Sequence, residues 1–127
     1  MLNNVVLVGR VVETPTMKNS EQGLNYSTIT LSVMKPFKNS EGKYEYDFIS
    51  CFLWDAVAGS ACEYCRKGDT IGIRGRLVSK TRDVVFNGEL EQVKRVQTLE
   101  LIAERVFFIS VSGKGKDYEG SLETEVK

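Results

Sequence analysis

The chain has 127 residues, 17 lysines and arginines against 17 aspartates and glutamates, three cysteines and no histidine. That length holds one domain with a real core rather than two ordinary ones, and the balanced charge supplies no overall field for a polyanion or an anionic membrane. Without histidine, hydrolysis by an imidazole triad and every histidine-bearing metal motif are excluded, so no metal or other cofactor is expected. An odd cysteine count with no secretory signal argues for reduced thiols in the cytosol, and the longest early apolar run, Val5 to Val8, is too short for a signal peptide or a membrane span.

In chain order, "NVVLVGRVV" from Asn4 to Val12 predicts a strand with a bulge or bend at Gly9, ended by Thr14-Pro15. "NSEQGLN" reads as a turn, and "YSTITLSVM" follows as a half-buried strand with Ile29, Leu31 and Val33 on one parity. Lys35 to Lys43 is a polar loop. Next, "YDFISCFLW", Tyr46 to Trp54, carries Ile49, Cys51 and Leu53 on one parity and Phe48, Phe52 and Trp54 on the other. Apolar residues then recur at helical spacing from Asp55 to Gly68, with Asp55 as a candidate cap, Arg66 and Lys67 at the negative end and Gly68 in a left-handed terminal position. The strand period returns from Thr70. An Asn-Gly pair in "FNGE", Phe86 to Glu89, predicts a hairpin turn, and a last strand region runs from about Val93 to Ile109, broken near Ala103. From Ser112 the chain is small, charged and unpatterned, so a domain over 1–110 with a short flexible tail over 111–127 is expected. Three strands, a helix and a long two-strand hairpin form the layout of an all-β, five-stranded OB-fold Greek-key barrel, with one short helix between its third and fourth strands.

Candidate chemistry is sparse. "CEYC", Cys62 to Cys65, matches C-x-x-C, yet both thiols fall near the C-terminal end of the helix, where the dipole disfavours a thiolate, and only Cys51 remains as a further ligand. These thiols read as packing groups. "GKGK", Gly113 to Lys116, lacks the spacing of a phosphate loop and reads as linker. Arg74, Arg76, Lys80 and Arg82 share one strand parity, interrupted by Val78; alone the row fits a solvated face, and beside exposed aromatics it fits a phosphate track. A small barrel has one interior, which Ile49, Cys51 and Leu53 already fill from their strand. The aromatic parity must therefore meet a partner chain, a tail or a ligand.

Several spaced motifs resemble the bacterial single-stranded DNA-binding protein family, known as SSB. "MLNNVVLVGRVVETP" is similar to its start, "DFISCFLW" to its Asp-Phe-Ile-Asn-Cys-x-x-Trp segment, and "EYCRKGDTIGIRGRL" to its Tyr-x-x-Lys-Gly and Gly-Arg-Leu pattern, so that the likeness spans residues 1 to about 109. The resemblance implies sequence-tolerant binding of single-stranded DNA without catalysis, in replication, recombination and repair, by a homotetramer. Position by position it implies stacking aromatics at Phe37, Phe48 and Trp54 and cations at Lys35, Arg76 and Lys80, with Phe52 packing rather than stacking. Arg82 stands where the family usually has a fourth-strand aromatic. A guanidinium also stacks on bases, and Phe86, near the tip of a segment longer than usual, is the other candidate for that place. The family's acidic Pro-Phe tip, which docks replication and repair proteins, has no counterpart in "GSLETEVK", so docking through the tail is not expected; a phage, plasmid or paralogous version and a shortened chain both fit. Two other readings stay open: a replication-restart or RNA-binding OB module, and an OB domain that covers its aromatic face with a protein.

Overall fold

Alternating burial is what the strand sequences dictate, and the structure, a computed structural model, realises it in seven strands and one helix among the described residues. It describes residues 1–86, 88, 92–111 and 125–126, with 86, 125 and 126 described by backbone alone. The order is β1 (Val5–Val11), β2 (Lys18–Asn19), β3 (Asn25–Lys38), β4 (Tyr44–Trp54), α1 (Asp55–Tyr64), β5 (Thr70–Phe86), β6 (Gln92–Ser110) and β7 (Glu125–Val126). The five long strands pair as β1-β5-β6-β4-β3, and β3 returns to β1 through Arg10↔Ser32 and Val11↔Leu31, which closes a barrel. All these pairs are antiparallel except β4 with β6, which run parallel through Cys51↔Leu101 and Phe52↔Ile102. This is the expected OB-fold barrel, with α1 between its third and fourth long strands.

The interior takes one parity from each strand: Ile29 and Leu31 of β3, Cys51 and Leu53 of β4, Ile71 and Ile73 of β5, and Leu101, Ala103, Val106 and Phe108 of β6. Ala58 and Ala61 of α1 add to the same core, small enough to let the helix axis come close to the sheet. Tyr64 at its end meets Phe108 edge-on at 5.7 Å. Buried Ser27 is satisfied, donating to the Thr16 carbonyl at 2.9 Å.

Local details differ from expectation for identifiable reasons. Asp55 does not cap the helix; Trp54 is the extended residue at its start, and Asp55 itself has φ +50°, because the chain passes from strand to helix with no loop between them. At the other end the helix stops at Tyr64. Arg66 Nη1 donates there to the carbonyls of Cys65, Glu63 and Cys62 at 2.8, 3.1 and 3.4 Å, which is the cation-to-dipole contact that sequence spacing implied. Gly68, at φ +92°, serves instead the turn into β5: its N–H donates to Val11 O at 2.8 Å, and the Asp69 carboxylate accepts from the Arg66 N–H at 2.8 Å.

The polar loop is shorter than Lys35 to Lys43, since β3 runs on to Lys38 with an irregular register after Met34. Asn39 Oδ1 closes the turn, accepting from the N–H groups of Glu41 at 2.9 Å and Lys43 at 3.0 Å. Near Ala103 the last strand bulges rather than breaks: Arg74 faces Arg105 and Gly75 faces Ala103, so Glu104 is the extra residue. Beyond the barrel β5 and β6 continue as a hairpin to Phe86↔Gln92; Asn87 and Glu89 of the expected turn lie outside the described residues. So does most of the tail, of which Glu125–Val126 pair with Phe107 and Val106.

Two glycines permit the closure. A Cβ on Gly9 would lie 2.6 Å from the Ser32 carbonyl oxygen, and one on Gly75 would overlap the Ile102 carbonyl of β6. Asn3 extends the β1–β5 seam with its side chain, donating to Leu77 O at 2.8 Å and accepting from Leu77 N–H at 2.9 Å. We expect Gly75→Ala to cost about 1–3 kcal/mol of stability in urea unfolding, the range for forcing an added group into a packed site. A loss below the error of the measurement would show that β6 can shift freely at the bulge.

Candidate functional site

Because β4 alternates, what its core parity leaves outside is aromatic. Phe48, Phe52 and Trp54 share the outer face with Tyr44 and Tyr46, and β3 sets Ser32, Thr28, Tyr26 and Met34 directly opposite Phe48, Phe52, Trp54 and Tyr46. Phe48 is 69 % exposed and Phe37, beside the turn between the two strands, 81 %. Trp54 is half-buried, with its ring 5.4 Å from that of Tyr26 at an interplanar angle of 39°. In the middle of the face Thr30 and Ser50 share a hydroxyl–hydroxyl hydrogen bond of 2.9 Å.

Basic groups come from β3 and β5. Lys35 stands 3.3 Å from Asp47, the residue before Phe48. Arg76, Lys80 and Arg82 share the outer parity of β5, and β6 sets Ile102, Thr98 and Val96 opposite them. Across from Val78, the apolar interruption in that row, lies Glu100. Lys80 is therefore doubly engaged: its ammonium is 2.8 Å from Glu100 Oε1 and 5.7 Å from the centroid of the Phe52 ring. Arg76 Nε lies 3.8 Å from Glu104 Oε2, the carboxylate of the bulge. Arg82 has no ion pair among the described residues, and Asp83, its neighbour, meets Arg95 at 3.6 Å.

The structure thus gathers Phe48, Trp54, Arg76, Lys80 and Arg82 onto the outer face of one sheet, with Lys35 and Phe37 at the β3–β4 end of it. The side chain of Phe86 lies outside the described residues. The sequence pattern alone marks Tyr46, two residues from Phe48, but not Tyr26, which joins the face only by pairing with Trp54, nor the three carboxylates, whose partners depend on a register that no sequence pattern fixes.

Cys62 and Cys65 do not form a reactive pair. Burial pushes the Cys65 thiol up to about 12, helped by the negative charges of Asp69 and Cys62 and opposed by Arg66. Cys51 inside the barrel is raised to about 12 by burial alone. No group of three or more cysteine and carboxylate side chains suited to a metal ion occurs among the described residues, and no helix there is long and apolar enough to cross a membrane.

Residues 2–109 match the single-strand binding protein family. A single-stranded DNA-binding protein of Bacillus cereus is 35 % identical over 96 % of this chain and 68 % of its own length. Single-stranded DNA-binding protein B of Bacillus subtilis is 32 % identical over 91 % of this chain and 97 % of its own. Among solved structures, a Plasmodium falciparum SSB in complex with single-stranded DNA superposes with a TM-score of 0.60 at 22 % identity, covering 80 % of this chain and 86 % of that one, a likeness of fold.

The thiols give a measurable outcome. The folded-state values of Cys51 and Cys65 lie above the ordinary 9.0, so between about pH 9 and 12 the unfolded chain holds fewer protons at these two thiols than the folded one, and stability should fall as pH rises through that window. At pH 8 a thiol-specific chromogenic reagent should modify Cys62 in the folded protein and reach Cys51 and Cys65 only on unfolding. Rapid modification of all three would contradict the packing described.

Proposed function

The chain belongs to the single-strand binding protein family, and on that footing we propose that it binds single-stranded DNA, without strong sequence preference, across the outer face of β3 to β6. One observation carries the assignment to this face: a closed barrel has no second interior, yet the outward parity of β4 is aromatic, with Phe48 and Phe37 open to solvent beside a row of cations. Bases stack on Phe37, Phe48 and Trp54, while Lys35, Arg76, Lys80 and Arg82 meet phosphates. Tolerance of sequence follows from the chemistry, since every base has a π-face and none of these side chains reads a base edge. Arg82, free of an internal carboxylate among the described residues, can stack by its guanidinium plane where a ring would otherwise serve. Phe86 is the other candidate for that place.

The activity is binding without catalysis, in the cytosol, and the DNA is covered and organised during replication, recombination and repair. The functional unit is a homotetramer. Exposed Val6 and Val8 on the outer side of β1 offer apolar surface for subunit contacts. With a net charge of zero the face relies on stacking more than a strongly basic protein does, and each phosphate it neutralises lowers log K by about 0.7 per decade of salt.

Trp54 is the single tryptophan, so oligo-dT should quench its fluorescence in proportion to occupancy. Absence of quenching at low salt, with the protein folded, would remove the stacking assignment. Trp54→Ala should weaken binding to poly-pyrimidine and mixed-sequence strands alike, by about 1–3 kcal/mol. A matched RNA strand bound as tightly as DNA would point instead to an RNA-binding module, in which the 2′-hydroxyl is accepted.

A further inference from the structure

Of the four cations assigned to the binding face, all but Arg82 already have a partner among the described residues. Lys35, Arg76 and Lys80 each have a carboxylate of the protein's own within 4 Å, from Asp47, Glu104 and Glu100 respectively. Exposed ion pairs of this kind add little to stability, and the first two are exposed on both sides. Glu100 differs. It fills the gap at Val78 in the basic row, its side chain is 23 % exposed against 55 % for Lys80, and its Oε1 is shielded from solvent with no well-aligned hydrogen bond. The Lys80 ammonium at 2.8 Å is the charge that answers it, and the same ammonium covers the face of Phe52.

We propose that Glu100 is an internal stand-in for a DNA phosphate: it holds Lys80 over Phe52 in the free protein, and an incoming phosphate must take Lys80 from it. This rests on the single-stranded DNA-binding reading and adds to it a residue that sets affinity and salt response while touching no base. Three consequences follow from electrostatics. A cation already neutralised by a neighbouring carboxylate adds less net positive charge where the strand lies, so fewer counterions leave the DNA on binding. The retained carboxylate also repels the strand. Finally, when a phosphate draws the ammonium away, the ring of Phe52 is uncovered, so that the phosphate contact of Lys80 and access of a base to Phe52 are coupled.

The test is a salt titration of full-length protein with oligo-dT, comparing wild type with Glu100→Gln, a nearly isosteric change. Glu21→Gln serves as control, because it alters net charge equally from the turn between β2 and β3. Glu100→Gln should bind several-fold more tightly at low salt, with a slope of log K against log salt steeper by up to about 0.7, the increment for one phosphate charge, because no retained carboxylate offsets Lys80 beside the strand. Glu21→Gln should change neither by a comparable amount. In a Lys80→Gln background the gain from Glu100→Gln should shrink, since the cation it released is no longer there. Equal gains from Glu100→Gln and Glu21→Gln, an unchanged slope, or a gain that persists in full without Lys80 would each overturn the inference while leaving DNA binding intact. Failure of the folded wild type to bind would overturn the binding reading itself.

Discussion

Strand β6 lies between β5 and β4 with its Ile102 carbonyl passing where a Cβ on Gly75 would stand. That close approach, relieved by the bulge at Glu104, turns a meander and a hairpin into a barrel. Everything on the outer face depends on it. Closure leaves a single interior, and the aliphatic parity of β4 occupies it, so Phe48, Phe52 and Trp54 are fixed on the outside rather than available to a second core. Closure also brings β6 beside β4, which carries the basic row of β5 round to the aromatic one and places Lys80 against Phe52.

The outer face joins two chemistries that usually oppose each other. Aromatic side chains exposed to water are an aggregation liability, and unpaired cations in a row repel. Here Asp47, Glu104 and Glu100 relieve the repulsion, while Tyr26 shields one side of Trp54. A surface so balanced has little long-range pull on a polyanion, in keeping with a chain whose charges sum to zero. Its discrimination lies in short-range fit.

Much of this was legible before any coordinates. Period-two alternation in β3 and β4 separated core from face residue by residue, and the order of three strand patterns, a helix and two further strand patterns was the layout of the barrel. The start of the helix at Asp55 and the contact of Arg66 with its far end were legible; the manner of its start and its stop at Tyr64 were not, because Asp55 at φ +50° makes a direct strand-to-helix junction that no capping pattern encodes and Gly68 serves the next turn instead. Pairing partners across strands were also invisible. Which acid meets Lys80 depends on a register shifted by one bulge, and the sequence around Ala103 suggested only that something interrupts the strand. Motif residues gained causes once placed: Asn3 clips β1 to Leu77, and the glycine of Gly-Arg-Leu is the one that lets β6 through.

The hydroxyl pair of Thr30 and Ser50 divides the aromatic face into two islands, Trp54 with Tyr26 and Phe52 on one side and Phe48 with Tyr46 on the other. At about 3.4 Å per residue, Phe48 and Phe52 stand roughly 14 Å apart along the strand, with a polar step between them. A stiff, flat ligand spanning both islands would have to press that step against its own apolar surface. A jointed chain can seat a flat group on each island and cross the step with a polar link. Geometry of this kind favours an articulated ligand over a rigid one.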